Sequence, residues 1–104
     1  MSKGYWIARV DVTDPEAYQG YLARNGVAFA KYGARFVVRG GPYHIGAGTA
    51  RERNVVIEFP SHQAALDCLN SPEYAEAAAF RDRGATVDLI VIGGYDGPQP
   101  GETA

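Results

Sequence analysis

The sequence predicts an α+β domain: a four-stranded antiparallel sheet with its helices on one face. Three observations lead to it. Four short runs alternate in period two and are rich in β-branched and aromatic residues. Longer runs between them carry apolar residues at helical spacing and open on Asp-Pro-Glu or serine start signals. The elements come in the order strand, helix, strand, strand, helix, strand. With 104 residues, 46% hydrophobic and 21% charged, the chain is one domain in size and can bury a modest core without staples. That composition excludes a long disordered chain.

Gly4 to Val12 reads as the first strand. Trp6, Ala8, Val10 and Val12 share one face, and Tyr5, Ile7, Arg9 and Asp11 the other. Thr13-Asp14-Pro15-Glu16 signals a helix start, with Asp14 as cap before Pro15 or with Thr13 and Glu16 as a capping box. This helix runs to about Tyr32 on a stripe of Tyr18, Tyr21, Leu22, Phe29 and Tyr32, and Gly33 stops it. Arg35 to Gly41 is the second strand, with Phe36 and Val38 expected on one face and Arg35, Val37 and Arg39 on the other. Gly40-Gly41-Pro42 breaks it, and the glycine-rich stretch from Tyr43 to Arg53 reads as a loop.

Asn54 to Phe59 is the third strand, ended by Pro60. Ser61 caps a second helix through about Asn70, with Ala65, Leu66 and Leu69 as its apolar side. Ser71-Pro72-Glu73 interrupts that helix and restarts it toward Gly84. Thr86 to Ile92 is the fourth strand, broken by Gly93-Gly94. Residues 1–95 are expected to form the domain, and the Gly- and Pro-rich tail 96–104 to be irregular.

This βαββαβ order is the split βαβ arrangement of the ferredoxin-like fold, whose right-handed crossovers put both helices on one face of the sheet. The helix-facing side should hold Trp6/Ala8/Val10, Phe36/Val38, Val55/Ile57/Phe59 and Val87/Leu89/Val91. The opposite face then carries Tyr5, Ile7, Arg9, Val37, Arg39, Val56, Glu58, Asp88, Ile90 and Ile92. It is too apolar to stay wet and too charged for a plain core. A second copy packed face to face would bury its aliphatic residues and enclose its charges, so the expected partner is the chain itself, as a two-fold homodimer.

Composition removes several classes of function. The net charge is −2 with its ten basic residues scattered, so no footprint for nucleic acid or for an anionic membrane is visible. Cys68 is the single cysteine, which cannot form an internal disulfide and fits a reducing, cytoplasmic setting. Met1-Ser2-Lys3-Gly4 runs straight into the first strand without an apolar leader.

The segments Gly4-Tyr5-Trp6-Ile7-Ala8-Arg9-Val10, Asp14-Pro15-Glu16-Ala17-Tyr18, Arg35-Phe36-Val37-Val38-Arg39-Gly40-Gly41, Val55-Val56-Ile57-Glu58-Phe59-Pro60-Ser61, Asn70-Ser71-Pro72-Glu73-Tyr74 and Gly93-Gly94-Tyr95-Asp96-Gly97 carry a family likeness over almost the whole chain. It resembles the domain of unknown function 1330 family, within the wider dimeric α/β-barrel superfamily. The resemblance implies a dimer whose two sheets enclose a barrel-like interior. It implies no particular reaction: the superfamily includes small monooxygenases, haem-degrading enzymes, isomerases and plain ligand-binding modules, and fold does not choose among them.

The leading candidate site is the charged set expected on the helix-free face: Arg9, Arg39, Glu58 and Asp88. Arginines there can hold a carboxylate or enolate through paired hydrogen bonds, and Glu58 can serve as a catalytic base. Equally, these charges can simply pair with one another across strands or the dimer interface. Tyr5, Tyr18, Tyr21, Tyr32 and Tyr74 could line that site or donate a proton, with Tyr5, on the same face, and Tyr74, after the helix break, the leading ligand-binding candidates; the plainer reading of tyrosines at helical spacing is core with a polar tip. His44 sits in the glycine-rich loop, where it could overhang a cavity mouth. Nothing spaces His44 and His62 for a metal, no cofactor is expected, and Cys68 reads as a small buried residue. The function expected is the binding of a small anionic organic molecule in a polar cavity on the helix-free face, with cofactor-free isomerisation or oxygen chemistry as the enzymatic form. The alternative is a non-catalytic structural or sensor module whose charged face only supports dimerisation.

Overall fold

The computed structural model describes residues 2–102. Seven elements follow one another: β1 (Gly4–Val12), α1 (Pro15–Lys31), β2 (Arg35–Arg39), β3 (Arg53–Phe59), α2 (His62–Leu69), α3 (Pro72–Gly84) and β4 (Ala85–Gly93). The strands form one sheet in the order β2-β3-β1-β4, every neighbour antiparallel. This is the ferredoxin-like α+β arrangement that the element order implies. Met1 and the last two residues of the expected tail, Thr103 and Ala104, lie outside the described residues.

Local chemistry sets the element ends. The Asp14 carboxylate accepts from the backbone N–H groups of Glu16 and Ala17 (3.1 and 3.4 Å), so of the two caps open to the sequence it is Asp14 that starts α1. Gly33 follows the C-cap Tyr32 with φ +72°, the left-handed conformation that ends helices at glycine. The second helical region is two helices. The Ser71 hydroxyl donates to the Cys68 carbonyl at 2.7 Å and accepts from the Tyr74 N–H at 3.1 Å, which closes α2 and caps α3 with one side chain. Gly84 ends α3 against the start of α1: its carbonyl accepts from Thr13 and Asp14, and a Cβ there would lie 2.6 Å from the Tyr18 nitrogen. Only glycine allows that close approach.

The core lies between the sheet and the helices. Trp6 stands at its centre, 1% exposed, edge-on to Phe29 and Tyr74 and tilted against Phe59, with its indole N–H donated to the Ala65 carbonyl at 2.9 Å. Val10, Val55, Ile57 and Phe59 complete the buried sheet face, matching the alternation in β1 and β3.

β2 departs from the expected alternation. Arg35 pairs with Glu58 and Phe36 with Ile57, but the next pairs are Val38 with Val56 and Arg39 with Val55; Val37 is an extra residue in a bulge. A bulge on an edge strand shifts the period by one and sends every later side chain to the opposite face. Val38 therefore points to the helix-free face, and Arg39 to the helix side, where its guanidinium lies over the Phe36 ring, 4.1 Å from the centroid. The expected grouping of Arg39 with Arg9 is thus corrected. All of residues 35–50, β2 and the loop after it, are exposed.

Candidate functional site

The helix-free face is ordered in rows across the sheet. Val38, Val56, Ile7 and Ile90 are successive cross-strand partners and make one aliphatic row over all four strands. On one side of it runs Arg35, Glu58, Tyr5 and Ile92; on the other, Asn54, Arg9 and Asp88. Ile90 is 54% exposed and Ile7, Val38 and Ile92 are also exposed.

Apart from Arg35, which makes no ion pair among the described residues, the charges on this face are paired. Glu58 accepts from the Tyr5 hydroxyl at 3.4 Å and pairs with Lys3 at 3.7 Å. Arg9 pairs with Asp88 at 3.5 Å. Burial and the adjacent Glu58 charge hold the Tyr5 hydroxyl above its ordinary pKa. Arg51, from the loop, reaches back to bridge Asp88 (2.8 Å) and Asp11 (2.7 Å), and Asp11 also accepts from the Glu52 N–H at 2.9 Å.

That bridge tethers the loop to the sheet and carries a pH dependence. Asp11 is held below its ordinary pKa by the Glu52 N–H and by Arg51, and Asp88 by Arg51 first and Arg9 after it. A carboxylate with a depressed folded-state pKa contributes stability above its unfolded value, about 3.9, and loses it as pH falls through the folded value. Amide exchange at Glu52 should therefore be protected at pH 7 and lose protection only as pH falls through the folded-state value of Asp11, below about 3.9. Arg51→Met should lose much of it at neutral pH. Equal protection of Glu52 in the wild type and Arg51→Met at pH 7 would show that the tether carries nothing.

The cavity of the subunit lies on the other side of the sheet, between it and the helices. Trp6, Phe29, Phe36, Val87 and Leu89 supply apolar walls. Tyr21 and Asn25 from α1 and Tyr74 and Arg81 from α3 supply polar groups, and Arg39 and Arg53 from β2 and β3 add charge. The cavity volume is about 30 Å³, room for a couple of waters. A larger guest has to displace side chains, and Arg39 stands on the exposed β2 strand. The three arginines are the charged residues of this lining; no carboxylate contributes to it. Neither Arg39 nor Arg53 makes an ion pair among the described residues, and the Arg53 Nε is buried without a hydrogen-bond partner. Such an orphaned donor is costly unless something meets it.

The polar end is a hydrogen-bonded cluster. The Tyr21 and Tyr74 hydroxyls are 2.9 Å apart, and the Arg81 Nη1 donates to the Tyr74 oxygen at 3.0 Å. Tyr74 is 2% exposed. Burial drives the Tyr21 hydroxyl far above its ordinary pKa; burial also raises Tyr74, against the opposing pull of the Tyr21 hydrogen bond and the Arg81 charge.

The seven leading candidate residues from the sequence therefore divide three ways. Tyr5, Glu58, Arg9 and Asp88 share the helix-free face. Arg39 and Tyr74 line the helix-side cavity, Arg39 because of the bulge and Tyr74 because α3 turns it inward. Tyr74 is a buried residue rather than a rim. His44 lies exposed in the loop with no side-chain hydrogen bond among the described residues. Burial pushes the Cys68 thiol up to about 12, so it is inert as a nucleophile at neutral pH. The sequence reading missed Arg51, Arg53, Asn25 and Arg81. Only Arg81 left a local signal: it stands seven residues after Tyr74, two turns on along one helix face.

Fold and site together define a ferredoxin-like α+β domain with an arginine- and tyrosine-lined cavity under the helices. The chain belongs to the DUF1330 family, a domain of unknown function, whose model matches residues 3–95. It is similar in structure to RPA0582, a protein of unknown function from Rhodopseudomonas palustris, at 20% identity and a TM-score of 0.74, over 92% of this chain and 85% of that one. SnoaB, a cofactor-independent oxygenase from Streptomyces nogalater, shares the fold at 17% identity and a TM-score of 0.62, over 98% of this chain and 100% of its own. No curated protein matches the sequence. Among the described residues no helix is long and apolar enough to cross a membrane.

Proposed function

We propose that this protein binds a small anionic organic molecule in the helix-side cavity, as a homodimer joined through the helix-free sheet face. One observation carries the binding reading: the cavity's charged lining is three arginines, and one of them buries an Nε that no group among the described residues satisfies. An anion entering between apolar walls supplies the missing acceptor, and guanidinium groups suit planar oxyanions. In this reading Arg39, Arg53, Arg81 and Tyr74 contact the ligand. Arg9, Glu58 and Tyr5 serve the dimer interface, where two copies of the aliphatic row meet inside polar flanks. Glu58 lies across the sheet from the cavity, so proton transfer to a guest falls to the tyrosines. Cofactor-free chemistry, as SnoaB performs, is the reaction class this site could support.

Titration calorimetry with small aromatic acids, benzoate first, tests the binding. The wild type should take up at least one of them, and Arg53→Met should weaken it about 10- to 100-fold, the weight of a charge-assisted hydrogen bond. A dimer that binds none of them would instead favour the second reading, a structural or sensor module. The internal pairing of charges on the helix-free face is the observation in favour of that reading.

A further inference from the structure

We infer that the Tyr21–Tyr74 pair offers one hydroxyl hydrogen to the cavity, and that this hydrogen selects a phenol or enol bound as its anion. The inference rests on the anion-binding reading above. It follows from counting hydrogens. A guanidinium only donates, so the 3.0 Å contact from Arg81 uses one acceptor site of the Tyr74 oxygen and none of the tyrosine hydrogens. The 2.9 Å contact between the two hydroxyls uses one phenolic hydrogen, whichever ring gives it. The pair has two. One is left over, and among the described residues no other protein acceptor takes it up: the neighbouring Asn25 amide meets the Tyr21 oxygen as a donor and uses none of the phenolic hydrogens. Both rings are buried and line the cavity, so the spare hydrogen needs an acceptor there.

The acceptor's chemistry follows from the donor's. A tyrosine hydroxyl is a neutral, weakly acidic donor, and its hydrogen bond strengthens as the acceptor oxygen becomes more basic. A phenolate or enolate oxygen, with a conjugate acid near the tyrosine value of about 10, is far more basic than a carboxylate, near about 4. Arginines nearby stabilise the charge on either. The tyrosine hydrogen, matched in acidity to a phenol, adds its own preference for the more basic oxygen, against the flat walls of Trp6, Phe29 and Phe36. A weak acid of this class would bind ionised, its own proton passing to solvent.

A chromogenic nitrophenol, whose anion absorbs in the visible, tests this directly, with benzoate as the companion probe. The bound nitrophenol should ionise at a pH at least one unit below that of the free probe, a tenfold preference for the anion. Tyr21→Phe should keep the preference, since Tyr74 then still has a hydrogen to offer. The Tyr21→Phe/Tyr74→Phe double variant should lose it about tenfold or more while still binding benzoate. In the wild type, whatever the stability of the double variant, a tyrosine hydroxyl proton should move downfield in NMR spectra when the nitrophenol is added. Benzoate binding together with an unshifted nitrophenol, an unmoved hydroxyl proton, or a well-folded double variant that keeps the preference would each overturn the inference and leave anion binding intact. Binding of neither probe would overturn the anion-binding reading itself.

Discussion

Trp6→Ala should cost about 3–5 kcal/mol of folding stability and lower the thermal midpoint by more than about 12 °C. The indole is 1% exposed and touches three aromatic rings, Phe29 from α1, Phe59 from β3 and Tyr74 from α3. Its N–H binds the Ala65 carbonyl in α2. One side chain on β1 therefore joins every helix to the sheet, and a small domain cannot close the void its removal leaves. Circular dichroism melts check the result, and Trp6→Phe separates its parts. Phenylalanine keeps most of the packing and loses the hydrogen bond, so it should cost no more than about 2 kcal/mol. If alanine at position 6 costs less than phenylalanine, the packing account is wrong.

Ile90→Glu should turn the proposed dimer into a monomer. Ile90 ends the aliphatic row Val38–Val56–Ile7–Ile90, and the two-fold axis would place the new charge in the interface twice. An unpaired buried charge costs about 3–5 kcal/mol, so the dissociation constant should rise by at least about a thousandfold. Sedimentation velocity at micromolar concentration reads this as a change from two-chain to one-chain mass. Val27→Glu is the control: Val27 is an exposed apolar residue on α1, away from the sheet face, and its change should leave the mass as it was. A wild-type monomer at those concentrations would remove the interface from the proposal, though not the cavity.

Much of the architecture was legible in the sequence because its signals are local. Trp6, Val10, Val55, Ile57 and Phe59 alternate along β1 and β3 as their period requires. Asp14, Gly33, Ser61 and Ser71 mark helix ends through bonds that span three residues or fewer. From those few ends the element order follows, and with it the fold class. The candidate site was legible only in part. Arg9, Tyr5 and Glu58 fell on the expected face because β1 and β3 are regular central strands. Arg39 did not, since a single extra residue at Val37 reverses the strand beyond it. Alternation read along the chain cannot detect such a slip, because a bulge exists only relative to a paired strand.

The sequence by itself determined which segments are strands and helices, where they begin and end to within about two residues, and that helices cover one face of the sheet. Only the tertiary structure decided which face holds the cavity and which residues meet there. Tyr21, Arg39, Arg53, Tyr74 and Arg81 come from four different elements. Period and capping chemistry are written within a turn or two of chain. The meeting of these five depends on strand register and helix docking, which arise from contacts between residues distant in sequence.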